Sequence, residues 1–404
     1  MVDRNDVAVL GTDNAAMGTA GVVRESEAAD LPNDTAAFVA TRRPTNQANH
    51  LPGYVYTSPE IFQREKEEIF LKDWLCVARA EELAKPGDYM TLRIFGEPIV
   101  VTRNKNGELG AFANVCRHRG VEVASGQGNT DEFSCPYHGW LYDLDGRLVG
   151  APYMKEAEGF APGSCRLDSL RLDSWAGWVF INFDRDAMPL AAFITEFEND
   201  FGWLRQEDCL LTEKLEMEFD CNWKLIVENL LDFYHVAALH QDTIGQGFDV
   251  ALMPLNNKPQ GRFSSFFERP SPMPGGRPLL DVMPALAGKP EPELVNCIGF
   301  LPPNFNLIFR PDYVRPFIIW PLSPTKCKLI GYPLFPRDAY DKPGFAAAVE
   351  SYRELHEATL IEDLEMVKSL QNACDSRNFV PGRMSTIEAA VHNTLNWYLD
   401  RMFG

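Results

Sequence analysis

The sequence predicts an α+β protein in two parts, a small all-β domain followed by a larger mixed domain. Three observations carry this. Between Trp74 and about Phe183, short β-rich runs alternate with turn signals. Beyond Phe183, stretches with helical spacing stand beside strand-like runs. Four of the seven histidines fall into two tight constellations, one in each part.

Residues 1–45 are rich in Ala, Asp, Asn and Thr and lack sustained periodicity, so a flexible N-terminal arm is expected. Ser58-Pro59-Glu60 then opens a helix: serine caps free amides, proline suits the first turn, and glutamate favours the positive end. Its apolar side is Ile61, Phe62, Ile69 and Phe70, and it ends near Leu71. Strands follow at Tyr89–Phe95, Ile99–Arg103, Gly110–Asn114, Trp140–Asp143 and Trp178–Phe183, with Asn106-Gly107 and Asp145-Gly146 as hairpin turns. The leading helix and these strands form an expected domain over 46–184. The second domain, 185–404, shows a short strand at Met217–Phe219 and helical spacing over Trp223–His240. A hairpin follows at Phe317–Trp320 and Lys328–Phe335. A long amphipathic helix over Phe345–Leu370 and a final helix over Thr386–Phe403 complete it.

Composition sets outer bounds. In 404 residues, 45% are hydrophobic and 24% charged, the make-up of a globular protein. The sequence has no continuous apolar run of membrane-spanning length and no secretory signal pattern at its start, so the cytoplasm is the expected location. A net charge of −19 argues against nucleic acid and anionic membrane surfaces as partners. Nine cysteines, an odd number scattered from Cys76 to Cys374, point to metal ligation or plain burial rather than to a disulfide framework.

The first constellation reads Cys116-Arg117-His118-Arg119-Gly120 and Cys135-Pro136-Tyr137-His138-Gly139-Trp140. Two such loops facing each other can hold a [2Fe-2S] cluster, with Cys116 and Cys135 on one iron and His118 and His138 on the other. Neutral imidazoles in place of two thiolates raise the cluster's potential. Two Cys and two His also suit tetrahedral zinc, but zinc fingers pair like with like, whereas these ligands interleave.

The second constellation is Asn222-Trp223-Lys224, Glu228-Asn229, Asp232-Phe233-Tyr234-His235 and His240. Histidines five apart stand about 140° apart on a regular helix. They converge on one metal only if the helix breaks between them. Two histidines and a carboxylate make the facial triad of non-haem Fe(II) oxygenases. For the carboxylate the long C-terminal helix offers Asp363, Glu362 and Glu365, and the residues alone leave the three open. Asp232, three before His235, is placed to orient that ring. His356, seven before Asp363, reads as a packing residue. The remaining cysteines read as buried small side chains.

Together these motifs resemble the α (oxygenase) subunit of Rieske non-haem iron oxygenases, over most of the chain from about residue 50. The resemblance implies a small all-β Rieske domain and a catalytic domain with a curved antiparallel sheet flanked by helices, of the helix-grip type. It implies Cys116, His118, Cys135 and His138 as cluster ligands and His235, His240 and Asp363 as ligands of a mononuclear Fe(2+). It also implies that Asp232 links His235 to His138 of a neighbouring subunit, in a head-to-tail homotrimer. Electrons would come from NAD(P)H through a separate flavin reductase, a ferredoxin, or both, since this chain shows no flavin or NAD fingerprint. Gln371, Arg383-Met384-Ser385, Glu388, Val391-His392 and Trp397-Tyr398-Leu399, together with Asn229 three residues before Asp232, resemble the choline and glycine-betaine monooxygenase branch. That branch implies monooxygenation of a small organic substrate by O2, with loss of an N- or O-alkyl group. The alternatives are an aromatic-ring cis-dihydroxylating dioxygenase, a Rieske-type electron carrier and a zinc-stabilised binding module. Leu231, Phe233, Leu239, Phe305, Phe309 and Ile319 are the expected pocket wall.

Overall fold

The computed structural model describes residues 35–245, 257–259, 264–268, 277–287 and 295–404. Helix α1 (Pro59–Glu65) starts as its sequence dictates: Ser58 Oγ accepts the Ile61 N–H at 3.1 Å, and Pro59 fills the first position. It runs on through a π turn, Lys66–Phe70.

The N-terminal β domain contains three small antiparallel sheets. Strands β1 (Leu75–Arg79), β2 (Asp88–Ile94), β3 (Glu97–Arg103), β4 (Leu109–Ala113) and β5 (Gln127–Asn129) come first, then β6 (Glu132–Ser134), β7 (Leu141–Asp143) and β8 (Leu148–Gly150). Strands β9 (Arg171–Trp175) and β10 (Trp178–Asn182) return to β1, in the order β1-β10-β9. Both expected hairpin turns form, Asn106-Gly107 between β3 and β4 and Asp145-Gly146 between β7 and β8. In the first, Asn104 Oδ1 accepts the N–H groups of Asn106 and Glu108, both at 2.9 Å. Gly107 there takes a φ of 84°, which favours glycine.

The C-terminal domain is a nine-stranded antiparallel sheet with helices packed on it. Its strands are β11 (Cys209–Leu211), β12 (Leu215–Phe219), β13 (Asn257–Pro259), β14 (Ser264–Glu268), β15 (Val295–Leu301), β16 (Phe305–Arg310), β17 (Tyr313–Ser323), β18 (Lys326–Gly331) and β19 (Leu334–Pro336). The order is β11-β19-β17-β16-β15-β14-β13, with β18 joining β17 to β12. Helices α2 (Trp223–Leu231), α3 (Val236–Leu239), α4 (Phe345–Cys374) and α5 (Ala389–Phe403) complete it. The sequence shows β18 and part of β17 but misses β15 and β16. Every residue of β16 is buried, so the polar–apolar alternation that betrays a half-exposed strand is absent.

One core cluster spans the two domains, while another, around Phe112, Trp140 and Tyr142, lies within the β domain. Trp74, Trp178 and Phe180 pack with Phe197, Phe305 and Phe309, and the Trp178 and Phe305 rings meet edge to face at 4.9 Å. Asn304 locks the seam: its amide accepts the Cys76 N–H at 3.1 Å and donates to the Cys76 carbonyl at 2.9 Å.

The segments before β1 also reach the C-terminal domain. The leading helix, grouped by sequence with the β domain, touches both domains: Phe62 and Phe70 meet Phe95 with ring centroids 4.9 and 4.8 Å apart, and its other side packs on the C-terminal helices. Glu65 pairs with Lys224 and accepts from Trp223 Nε1 at 2.7 Å and Tyr398 Oη at 2.8 Å. The expected arm, 1–45, lies outside the described residues up to 34, and its end is docked. Phe38 is buried against Phe403 with ring centroids 4.7 Å apart, and Arg42 pairs with Asp400.

The Glu65–Lys224 pair is completely enclosed, with side chains 0% and 4% exposed. Removing one partner of such a pair strands the other charge, at a cost of about 3–5 kcal/mol. Glu65→Leu is expected to lower the urea midpoint of the holoprotein by a corresponding amount. An unchanged midpoint would mean that the pair does not hold the framework.

Candidate metal centres and the family

The two loops of the N-terminal domain close identically. Gly120 N–H donates to the Cys116 carbonyl at 2.8 Å, and Gly139 N–H to the Cys135 carbonyl at 3.0 Å. Both glycines take positive φ, 79° and 68°, so a side chain there strains the turn. Each loop thereby presents one buried cysteine and one exposed histidine. The thiols lie side by side: burial pushes Cys135 up, and Cys116 next to it adds to the effect. Tyr142 Oη sits 3.3 Å from Cys116 Sγ and accepts the Arg117 N–H at 3.0 Å. Nδ1 of His118 and Nδ1 of His138 face each other at 3.1 Å, and the Trp140 ring stacks on His118 at 4.9 Å.

These four ligands do not close on one point. Among the described residues, the single group of three or more metal-ligating side chains whose donor atoms all lie within 4.8 Å is His235, His240 and Asp363. A thiol pair at one end and an imidazole pair at the other suit a two-iron cluster and not a lone tetrahedral zinc.

The second centre depends on a broken helix. Asn222 caps the start of α2 by accepting the Lys224 N–H at 3.0 Å. The helix stops at Leu231 because Asp232 turns extended, φ −84° and ψ 114°. Its carboxylate then does two things. Oδ1 accepts the Tyr234 N–H at 2.6 Å, and Oδ2 lies 3.0 Å from His235 Nδ1. The sequence places Asp232 and His235 on one helical face, but the contact forms across the break.

Nε2 of His235 and Nε2 of His240 approach to 3.2 Å, and Asp363 Oδ1 lies 3.5 Å and 3.2 Å from them. On the far side of His240, Nδ1 meets Glu362 Oε2 at 2.6 Å. Both Nδ1 positions therefore face carboxylates and carry the protons, which leaves two Nε2 lone pairs and an Asp363 oxygen converging. Three acceptors so close repel unless a cation sits among them. Burial tends to lower the His240 pKa, but hydrogen bonds and charges from Asp363 and Glu362 outweigh it and raise the value, another mark of a site built for positive charge. The donor set, two imidazoles and one carboxylate, is that of a non-haem iron facial triad.

The three carboxylates left open by sequence now separate. Asp363 is buried and points at the histidines, Glu362 orients His240 and accepts from Thr243 Oγ1 at 2.7 Å, and Glu365 is exposed. Asn229 Nδ2 donates to Asp363 Oδ1 at 3.1 Å. Glu362 and Thr243 as supports of His240 were missed, since their one sequence signal is that Glu362 adjoins Asp363.

The pocket expectations divide. Phe233 lines a small cavity beside the triad, with Ile308, Arg310, Tyr313 and Arg315. Leu239 lines a groove of about 640 Å³ on the Asp232 side, with His50, Tyr56, Glu228 and Met366. Phe305 and Phe309 face the other way, into the interdomain core, because alternate residues of β16 point to opposite sides. Leu231 and Ile319 are buried in packing and line neither cavity. His356 is buried and bonds Tyr313 Oη at 2.7 Å, as a packing histidine would.

Comparison with known proteins agrees with both centres. The Rieske [2Fe-2S] domain family matches residues 73–170, and the ring hydroxylating alpha subunit (catalytic domain) family matches 206–404. The chain belongs to the Rieske-type ring-hydroxylating oxygenases, as an α subunit with a [2Fe-2S] domain and a mononuclear-iron catalytic domain. Within that family it is 40% identical over 192 residues to the carnitine monooxygenase oxygenase subunit of Acinetobacter pittii (strain PHEA-2), covering 47% of this chain. The chain spans about half, 52%, of that relative's length. It is 28% identical over 384 residues to the glycine betaine monooxygenase oxygenase subunit of Pseudomonas aeruginosa (strain UCBPP-PA14), covering 87% and 89% of the two chains. A crystal structure of the quaternary ammonium Rieske monooxygenase CntA with L-carnitine superposes with a TM-score of 0.69 at 26% identity, over 91% of this chain and 99% of that one. Among the described residues, no helix is long and apolar enough to cross a membrane.

Losing an orienting partner such as Glu362 typically weakens a metal site by about 10–100-fold. Glu362→Ala is expected to lower iron affinity in that range, read by iron content after dialysis against a chelator, with the cluster spectrum unchanged. Iron retention equal to the parent protein would remove Glu362 from the site.

Proposed function

We propose that this chain is the oxygenase component of a multicomponent monooxygenase that uses O2 on a small organic substrate. Electrons from NAD(P)H arrive through a separate reductase, directly or through a ferredoxin. The reaction is hydroxylation of a C–H bond on a carbon bound to nitrogen or oxygen. The resulting carbinol breaks its C–N or C–O bond, the proton returns to the heteroatom, and the alkyl group leaves as an aldehyde. The observation that carries this reading is the convergence of His235, His240 and Asp363 beside a cavity. The quaternary ammonium chemistry in the relatives' names supports a nitrogen-bearing substrate.

When bound, the cluster stores single electrons and the iron binds and reduces O2. The chain's own residues place and isolate these groups. Glu362 and Asp232 hold the two imidazoles with Nε2 inward, and Asn229 fixes the carboxylate oxygen of Asp363. Asp232 also keeps about a fifth of its side chain exposed on the groove. There it accepts a hydrogen bond from His138 of the partner subunit, and the electron crosses from that ring through Asp232 to His235. Exposed apolar side chains support this docking: Tyr234, Met366 and Leu370 in the catalytic domain, Tyr137 and Tyr153 in the cluster domain. The assembly is a head-to-tail homotrimer.

Asp232→Ala is expected to retain cluster and iron, as measured by metal analysis, yet lose most turnover. Full turnover by that variant would sink the bridge. The reaction itself is read by product masses under labelled O2 across N-alkyl amines, betaines, aryl ethers and arenes. One labelled oxygen or a released aldehyde is expected, and two labelled oxygens kept on a ring would make the enzyme a dihydroxylating dioxygenase.

A further inference from the structure

The sheet face opposite the triad carries two arginines that the metal chemistry does not use. On β16 and β17, Ile308 pairs with Arg315 and Arg310 with Tyr313, so these four side chains share one face. That face walls the cavity that also holds His235, His240 and Asp363. Arg310 and Arg315 are only 5% and 7% exposed. Neither has a carboxylate within ion-pair reach among the described residues. Arg310 Nε, Arg315 Nε and Arg315 Nη1 are buried without a hydrogen-bond partner. Arg310 Nη1 finds just the carbonyl of adjacent Phe309, at 3.3 Å, and the Arg315 guanidinium lies 4.8 Å from the Phe317 ring centroid.

Buried guanidinium groups without a counter-ion are costly, and most are paired. Asp232 also lines the cavity, but its two oxygens are taken by the Tyr234 N–H and by His235 Nδ1. Burial, then Arg315 and Arg310, holds His356 far below its ordinary value, so it stays neutral. The cavity-facing oxygen of Asp363 is already committed to the triad and to Asn229. A ferrous ion adds two further positive charges. The cavity thus carries an excess of positive charge and free, forked donors of the kind that match a carboxylate. Its void, about 50 Å³, has room for a few heavy atoms, a carboxylate rather than a whole ring.

We propose that Arg310 and Arg315 form an anion-binding subsite of the iron cavity, which takes the carboxylate of a substrate and aims its other end at the iron. This rests on the oxygenase reading in one respect, that the cavity at the triad is where substrate is held. It narrows the substrate class to carboxylates, zwitterionic ones included, and disfavours amino alcohols that lack the acid group.

The test uses the holoenzyme, without reductant, so that no turnover occurs. The probe is acetate, with acetamide as its neutral counterpart, and binding is followed by titration calorimetry. Acetate is expected to saturate one site per chain and acetamide not to bind. Arg310→Met and Arg315→Met are each expected to weaken acetate at least tenfold, with iron content and cluster spectrum unchanged. Arg315→Lys keeps the charge and is expected to recover part of the loss. Because every variant keeps its iron, direct ligation of acetate to the metal is common to all and cannot produce the difference. Acetate binding that is absent, or equal in all these proteins, overturns the subsite. The labelled-oxygen measurement judges the oxygenase reading separately: anion binding without turnover keeps the subsite and discards that reading.

Discussion

Asp232 ends a helix and begins a metal site with the same carboxylate. One oxygen takes the Tyr234 N–H and the other faces His235 Nδ1, so the backbone break and the ring orientation are a single arrangement. An unbroken helix would send the two histidines in different directions. Everything downstream depends on this turn, because His240, one short helix later, can then meet His235 at 3.2 Å and accept the same Asp363 oxygen as neighbour.

Around that turn the protein builds rigidity from buried polar groups. Asn222 is the hub: its side chain caps α2 and donates to the Tyr56 and Pro324 carbonyls, while its own N–H donates to Gln371. Glu65 supplies a second hub beneath the helix, meeting Lys224, Trp223 and Tyr398. Such groups are expensive to bury and keep their geometry only when every partner is in place. The starting turn of α2, the end of the long helix and the last helix are thereby tied to one another.

The sequence showed the ligands better than it showed the walls. Cys116, His118, Cys135 and His138 stand on two short loops, and local spacing exposes them. His235 and His240 were legible too, since their five-residue gap demands the helix break that Asp232 makes. Among Asp363, Glu362 and Glu365, residue chemistry could not choose, because only the packing of α4 decides which carboxylate turns inward. Phe305 and Phe309 failed as pocket residues for a plainer reason. In a strand buried on both faces, aromatic character does not tell which side a residue takes, and the cavity is faced by their neighbours Ile308 and Arg310. The leading helix does meet the β domain, through Phe62, Phe70 and Lys66, but its partners Trp223 and Tyr398 come far later in the chain and leave no local signal.

The two metal centres also differ in how far along the chain their parts are drawn. The cluster ligands all lie between Cys116 and His138, within loops that close on their own backbone. The triad runs from His235 to Asp363, and Glu65 beneath α2 is held in turn by Tyr398 of the final helix. Closing a long loop must precede any contact it allows, so such contacts form late. Along the chain, the side chains of both cluster loops are all present by His138, whereas the converging triad is not complete before Asp363. The cluster loops are thus a local feature of the chain, and the triad is a product of its long-range fold.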